Sequence, residues 1–166
     1  MMFSIGDTVF YGAHGVCIVE DIQDQNFFGN TKAYYILRSF HDTTLKLFHP
    51  VKSEDSKLTP IASKEKAELL LDTFKNPPDE WNDRATERTN NYHKIIESNN
   101  HFMIAQMVNT ILRKKNELDQ EGKKLASQEL QILKQVTPIL HKELSVSLEI
   151  TVEDVANRIE EIIVKH

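Results

Sequence analysis

The stretch Phe3-Ser4-Ile5-Gly6-Asp7-Thr8-Val9-Phe10-Tyr11-Gly12-Ala13-His14-Gly15-Val16-Cys17-Ile18-Val19-Glu20-Asp21-Ile22 decides how this chain begins to fold. Phe3, Ile5, Val9 and Tyr11 lead into the turn cluster Gly12-Ala13-His14-Gly15, after which Val16, Cys17, Ile18, Val19 and Ile22 resume the apolar run. Short apolar runs punctuated by turn residues predict β-strands. Gly29-Asn30 predicts a second turn, between Phe27-Phe28 and Tyr34-Tyr35-Ile36-Leu37. Asp42-Thr43-Thr44 predicts a third, ahead of Leu45, Leu47 and Val51. Several short strands at roughly even spacing imply a small, strongly curved antiparallel sheet or barrel. A core of about 55 residues leaves at least one strand edge partly open.

After Pro60 the apolar period becomes helical. Ser63 is placed to cap a helix whose stripe is Ala67, Leu70, Leu71 and Phe74, and Pro77-Pro78 stops it. The next helix is expected to start near Asp79 and to run past Tyr92, Ile95 and Ile96 to a break at Ser98-Asn99-Asn100. A third carries Phe102, Ile104, Met107, Val108, Ile111 and Leu112, with Gly122 as its breaker. Leu125, Glu129, Ile132, Leu133, Val136, Ile139, Leu140 and Leu144 trace a fourth, in which Pro138 should produce a kink or an early end. Thr151-Val152-Glu153-Asp154 opens a last amphipathic helix. The expected organisation is α+β: a β module over residues 1–60 and an all-α module over residues 61–166.

The 166 residues carry a formal net charge of −5, which argues against a protein that holds nucleic acid by charge alone. Between Arg84 and Lys142, however, ten Lys or Arg face six Asp or Glu, a local balance of +4. Either a modest basic face or an ordinary solvated surface fits that count. Any DNA contact made with it is weak and salt-sensitive by itself. The lone Cys17 reads as a buried structural thiol in a reducing compartment. No leader pattern follows Met1, and no run approaches the length of a membrane span. His14, His41, His49, His93, His101, His141 and His166 are scattered, and no metal, nucleotide or nucleophile motif occurs. A cytoplasmic protein without catalytic site or cofactor is expected.

The single tryptophan sits in Asn76-Pro77-Pro78-Asp79-Glu80-Trp81-Asn82-Asp83-Arg84. A bulky apolar ring beside a cation where a linker enters a helix is one way proteins grip nucleic acid. A tryptophan folded back as a staple between the two modules is the other reading.

The opening strand Phe3-Ser4-Ile5-Gly6-Asp7-Thr8-Val9-Phe10-Tyr11, with His14-Gly15-Val16 and Val19-Glu20-Asp21-Ile22, resembles the start of the CarD/CdnL family of bacterial transcription regulators. Tyr34-Tyr35-Ile36-Leu37-Arg38 and His49-Pro50-Val51 resemble the later strands, and Trp81 with Arg84 resembles the Trp-x-x-Arg signature. Glu129, Ile132-Leu133, Val136, Ile139-Leu140 and Glu143-Leu144 follow the spacing of the family's fourth helix. The resemblance implies a Tudor-like, SH3-like β-barrel that docks on the β subunit of bacterial RNA polymerase. It also implies a helical domain that contacts promoter DNA and stabilises the open complex, with no membrane and no small-molecule substrate. Trp81 is then a wedge in the minor groove at the upstream edge of the melted −10 region. Arg84 is a groove or phosphate contact, and Arg88 a further candidate one turn along. The polymerase surface falls on Asn26, Phe27, Lys46, Leu47 and Phe48, by strand addition at an open edge. An adaptor that binds polymerase without functional DNA contact is the alternative. The chain departs from the family pattern at Gly12-Ala13, at Ser98-Asn99-Asn100, at Pro138 and in the acids Asp79, Glu80 and Asp83, which oppose phosphate contact.

Overall fold

The computed structural model describes residues 2–55 and 57–165. Met1, in the segment read for a leader, and His166, one of the scattered histidines, lie outside the described residues. Contacts divide the chain into two compact units, Met1–Ile61 and Ala62–His166.

The first unit is a five-stranded antiparallel sheet of β1 (Thr8–Tyr11), β2 (Val16–Phe27), β3 (Asn30–Ser39), β4 (Lys46–Pro50) and β5 (Leu58–Pro60), in the order β4-β3-β2-β1-β5. Its buried centre is Val9, Cys17, Val19, Tyr35 and Leu37, with Phe3, Tyr11, Ile22, Leu47, Val51 and Leu58 packed around them. These are the alternating positions of the sequence pattern, because successive strand side chains point to opposite faces. A register shift between Val19 and Asp21 marks a bulge, which adds local bend and twist to the long β2 strand. β5 was missing from the sequence pattern: three residues ending in proline make a short edge strand with little periodicity to detect.

The β2–β3 turn falls one residue earlier than expected. Phe27 pairs with Asn30, so Phe28 and Gly29 form the two-residue corner, with φ of 56° and 82°. Two successive positive φ values match the twist of a tight hairpin, and here a phenylalanine takes a position that glycine or asparagine usually fills. At the third turn Asp42 Oδ1 accepts from the Thr44 amide at 3.1 Å and from Thr44 Oγ1 at 2.6 Å.

The second unit contains α1 (Lys64–Asp72), α2 (Ala85–Ser98), α3 (His101–Gln120), α4 (Ser127–Leu148) and α5 (Val152–Lys165). Ser63 Oγ caps α1 by accepting from the Lys66 amide at 3.1 Å. Leu70 and Phe74 meet Ala105, Val108 and Ile111 of α3, Leu144 of α4 and Val155 of α5 in one core. Asn99 turns the chain between α2 and α3 in the left-handed conformation (φ 55°), and Asn100 caps α3 through Met103 N at 3.2 Å. The expected break at Ser98-Asn99-Asn100 is therefore present.

Two helix boundaries differ from the sequence reading. α2 begins at Ala85, not near Asp79, and residues 76–84 contain no helix. The Asp79 amide instead donates to Thr110 Oγ1 of α3 at 3.0 Å, a tertiary bond that helical periodicity does not reveal. α4 runs through Pro138 to Leu148 without ending early. Pro138 and Lys134 are both exposed, so water can satisfy the carbonyl that loses its helical donor. Among the described residues no helix is long and apolar enough to cross a membrane.

Candidate nucleic-acid and polymerase interfaces

Trp81 lies in the non-helical stretch ahead of α2, half-buried against the helical core. Polar side chains spaced along one side of α3 hold that stretch. Gln106 Nε2 donates to the Pro77 carbonyl at 3.1 Å and to Asp79 Oδ1 at 3.2 Å. Asn109 Nδ2 donates to the Asn76 carbonyl at 3.0 Å. Arg113 donates from Nη2 to the Phe74 carbonyl at 2.6 Å and from Nε to Asn109 Oδ1 at 2.9 Å. Together with Thr110, these residues stand three, four and seven apart, so they share one helix face. Sequence reasoning missed them; the only signal was a set of polar residues interrupting an otherwise apolar α3.

The second hold on Trp81 comes from α2. Arg88 is buried, and its Cζ lies 4.5 Å from the centre of the Trp81 ring. Its Nε donates to Glu129 Oε1 of α4 at 2.5 Å, and its Nη1 donates to the Asn82 carbonyl at 2.6 Å. Lys114 Nζ of α3 lies 5.4 Å from the same ring centre. Cations at these distances are attracted by the negative face of the indole. Tyr92, one turn beyond Arg88, has its hydroxyl pKa pushed up to about 12, chiefly by burial. Arg84 differs in kind. Its side chain is 86% exposed, with a 3.9 Å contact to Glu87, and its amide closes a turn onto Asn82 Oδ1 at 3.0 Å. Of the three expected DNA-contacting residues, the structure brings Trp81 and Arg88 together and leaves Arg84 in solvent. Arg88, the further candidate one turn along, is paired with Glu129.

In the β unit, Lys46, Leu47 and Phe48 lie on β4, which ends the strand order and pairs only with β3 among the described residues. Asn26 and Phe27 do not share that edge, since Asn26 pairs with Thr31 inside the β2–β3 ladder. Side chains reunite the two segments: the Phe27 ring centre lies 5.7 Å from that of Phe48 and 5.1 Å from that of Tyr34, both edge-to-face. Phe27 and Phe48 are exposed, and Phe28 at the hairpin corner is fully so. Lys46 pairs across the strands with Arg38, whose guanidinium bonds Glu20. That bond is the main reason the Glu20 carboxyl titrates below its usual range.

Cys17 is buried, its thiol pKa is pushed up to about 11 by burial, and Sγ donates to the Gly15 carbonyl at 3.6 Å. His14 stacks on Tyr11 at 5.7 Å. Among the described residues no cluster of three or more His, Cys, Asp or Glu could hold a metal.

Residues 3–62 match the family model of the CarD-like/TRCF RID domain, and residues 68–160 match that of the CarD C-terminal domain. The chain belongs to the CarD family. This is a family of non-enzymatic transcription factors, and the matched domains make this chain a transcription-associated protein that interacts with RNA polymerase. The five-stranded sheet followed by five helices is consistent with a Tudor-like domain joined to a CarD helical domain. Comparison with curated proteins gives no match.

Proposed function

We propose that the β unit docks on the β subunit of bacterial RNA polymerase and that the helical unit stabilises the open promoter complex, with Trp81 as a wedge. The ring enters the minor groove at the upstream edge of the melted −10 region. One observation carries this reading: the only tryptophan is held on a tied-down loop, half-exposed, with cations at 4.5 and 5.4 Å. An apolar ring gains stacking and contact only where the duplex is already opened or bent, so it favours the open state by its differential affinity. Arg84, extended into solvent beside it, contacts phosphate or groove. With a net charge of −5, free DNA binding is weak. Docking on polymerase supplies the effective concentration that charge does not.

Docking uses the open edge of β4, at Lys46, Leu47 and Phe48, by strand addition. Phe27 with its neighbour Asn26 extends that surface through the Phe27–Phe48 ring contact. Tyr34 joins the same aromatic group through its 5.1 Å edge-to-face contact with Phe27. The protein acts in the cytoplasm, at the nucleoid through polymerase, without cofactor or small-molecule substrate.

The acids Asp79, Glu80 and Asp83, and the pairing of Arg88 with Glu129 at 2.5 Å, favour the alternative of an adaptor that binds polymerase without functional DNA contact. Trp81→Ala separates the two. Stacking one base on an aromatic is worth about 1–3 kcal/mol, so open-complex lifetime should fall about 5- to 150-fold. An unchanged lifetime with polymerase binding retained removes the wedge and leaves the adaptor.

A further inference from the structure

We propose that Arg88 is a positioning residue that sets the Trp81 ring before any DNA is met, and that Glu129 holds Arg88 to this task. The proposal rests on the wedge reading only for its consequence on DNA. Arg88 touches both ends of the Trp81 side chain's freedom. Its Nη1 bonds the carbonyl of Asn82, the next residue in the chain, at 2.6 Å, and its Cζ sits 4.5 Å from the ring centre. A backbone anchored on one side and a ring attracted on the other leave few rotamers open, so less rotamer entropy remains to be lost when the ring inserts.

Glu129 is fully buried, accepts from Arg88 Nε at 2.5 Å, and among the described residues its other oxygen, Oε2, has no hydrogen-bond partner. An ionised carboxylate sealed in a core is costly unless a cation is paired with it. Arg88 is therefore kept at the core and away from solvent, where it cannot reach a phosphate. The planar guanidinium matters here: it can face an indole while its edge donates to two acceptors, which a lysine ammonium cannot do in the same geometry.

The test uses the full-length protein with polymerase and promoter DNA, and exploits Trp81 as the sole tryptophan. Two variants, Arg88→Lys and Glu129→Gln, are compared with the unaltered protein by acrylamide quenching of tryptophan fluorescence and by open-complex lifetime. Circular dichroism and polymerase binding monitor the fold. Arg88→Lys keeps the charge, so a phosphate contact would survive it. Positioning predicts stronger quenching and a lifetime shortened about two- to fivefold, the size of one cation–π contact. Glu129→Gln makes the unit one charge more positive and frees Arg88. If Arg88 were a DNA contact, the lifetime would lengthen; positioning predicts that it shortens while quenching rises. Unchanged quenching in both folded variants, or a lengthened lifetime in Glu129→Gln, overturns the proposal. Should Arg88→Lys fail to fold, Glu129→Gln decides by the same sign. If Trp81→Ala leaves lifetime unchanged while quenching rises in both variants, the wedge falls and the positioning role of Arg88 stands.

Discussion

Phe28 occupies a left-handed backbone conformation at φ 56° with its ring fully exposed. A residue with a β-carbon loses about 1–2 kcal/mol there, and asparagine, whose short polar chain bonds locally, tolerates it better. Replacing Phe28 with Asn is therefore expected to stabilise the β unit by about 1 kcal/mol, measured by urea unfolding. If Phe28 belongs to the docking surface with Phe27 and Phe48, the same substitution weakens polymerase binding. Stability gained with affinity unchanged would exclude Phe28 from that surface. Trp81 shows the opposite arrangement: its conformation is imposed by tertiary partners, not by its own turn.

At the scale of elements, the segment between α1 and α2 is neither helix nor free linker. Gln106, Asn109, Thr110 and Arg113 of α3 take up its backbone polar groups, and Asn109 is central because it donates to Asn76 while accepting from Arg113. Asn109 is completely buried, and Asn109→Ala removes both its bond to the Asn76 carbonyl and the one it accepts from Arg113 Nε. A cost of about 1–3 kcal/mol follows for unfolding of the helical unit, two hydrogen bonds at about 0.5–1.5 kcal/mol each. The loosened segment should also make Trp81 more accessible to acrylamide. No change in either quantity would mean that α3 does not restrain the segment. Helix propensity suggested a start near Asp79, but the two prolines and these side-chain bonds prevail.

At the scale of the whole molecule, each unit has a buried core and a histidine that burial shifts downward. His49 in the β unit and His141 in the helical unit both titrate below the ordinary 6.5, with desolvation the main cause. In the unfolded chain these imidazoles bind protons near 6.5, whereas the folded state holds them neutral to lower pH. Their contribution to stability is therefore complete above the unfolded value and is lost as pH falls toward the folded one. Stability of both units is expected to decline below pH of about 6.5, and His141→Gln should flatten the slope for the helical unit alone. Denaturant unfolding at several pH values, followed by Trp81 fluorescence for that unit, checks this. An unaltered slope in the variant would assign the acid sensitivity elsewhere.

Local rules were enough for much of this molecule. The alternation of Val9, Cys17, Val19, Tyr35 and Leu37, the Ser63 cap, the α3 stripe and the Asn99 turn are set by side-chain period and backbone preference, which act within a few residues. The two-part organisation and the family resemblance were legible for the same reason. The arrangement of the candidate site was legible only in part. Trp81, Arg84 and the aromatic Phe27 could be singled out from their neighbours in the chain. That Arg88 is turned inward to Glu129, forty-one residues away, depends on α2 and α4 packing together. So does the joining of Phe27 to Phe48 across β3, and the capture of residues 76–79 by α3. Burial and electrostatic pairing between distant segments are properties of the packed chain, and only the tertiary structure decided them.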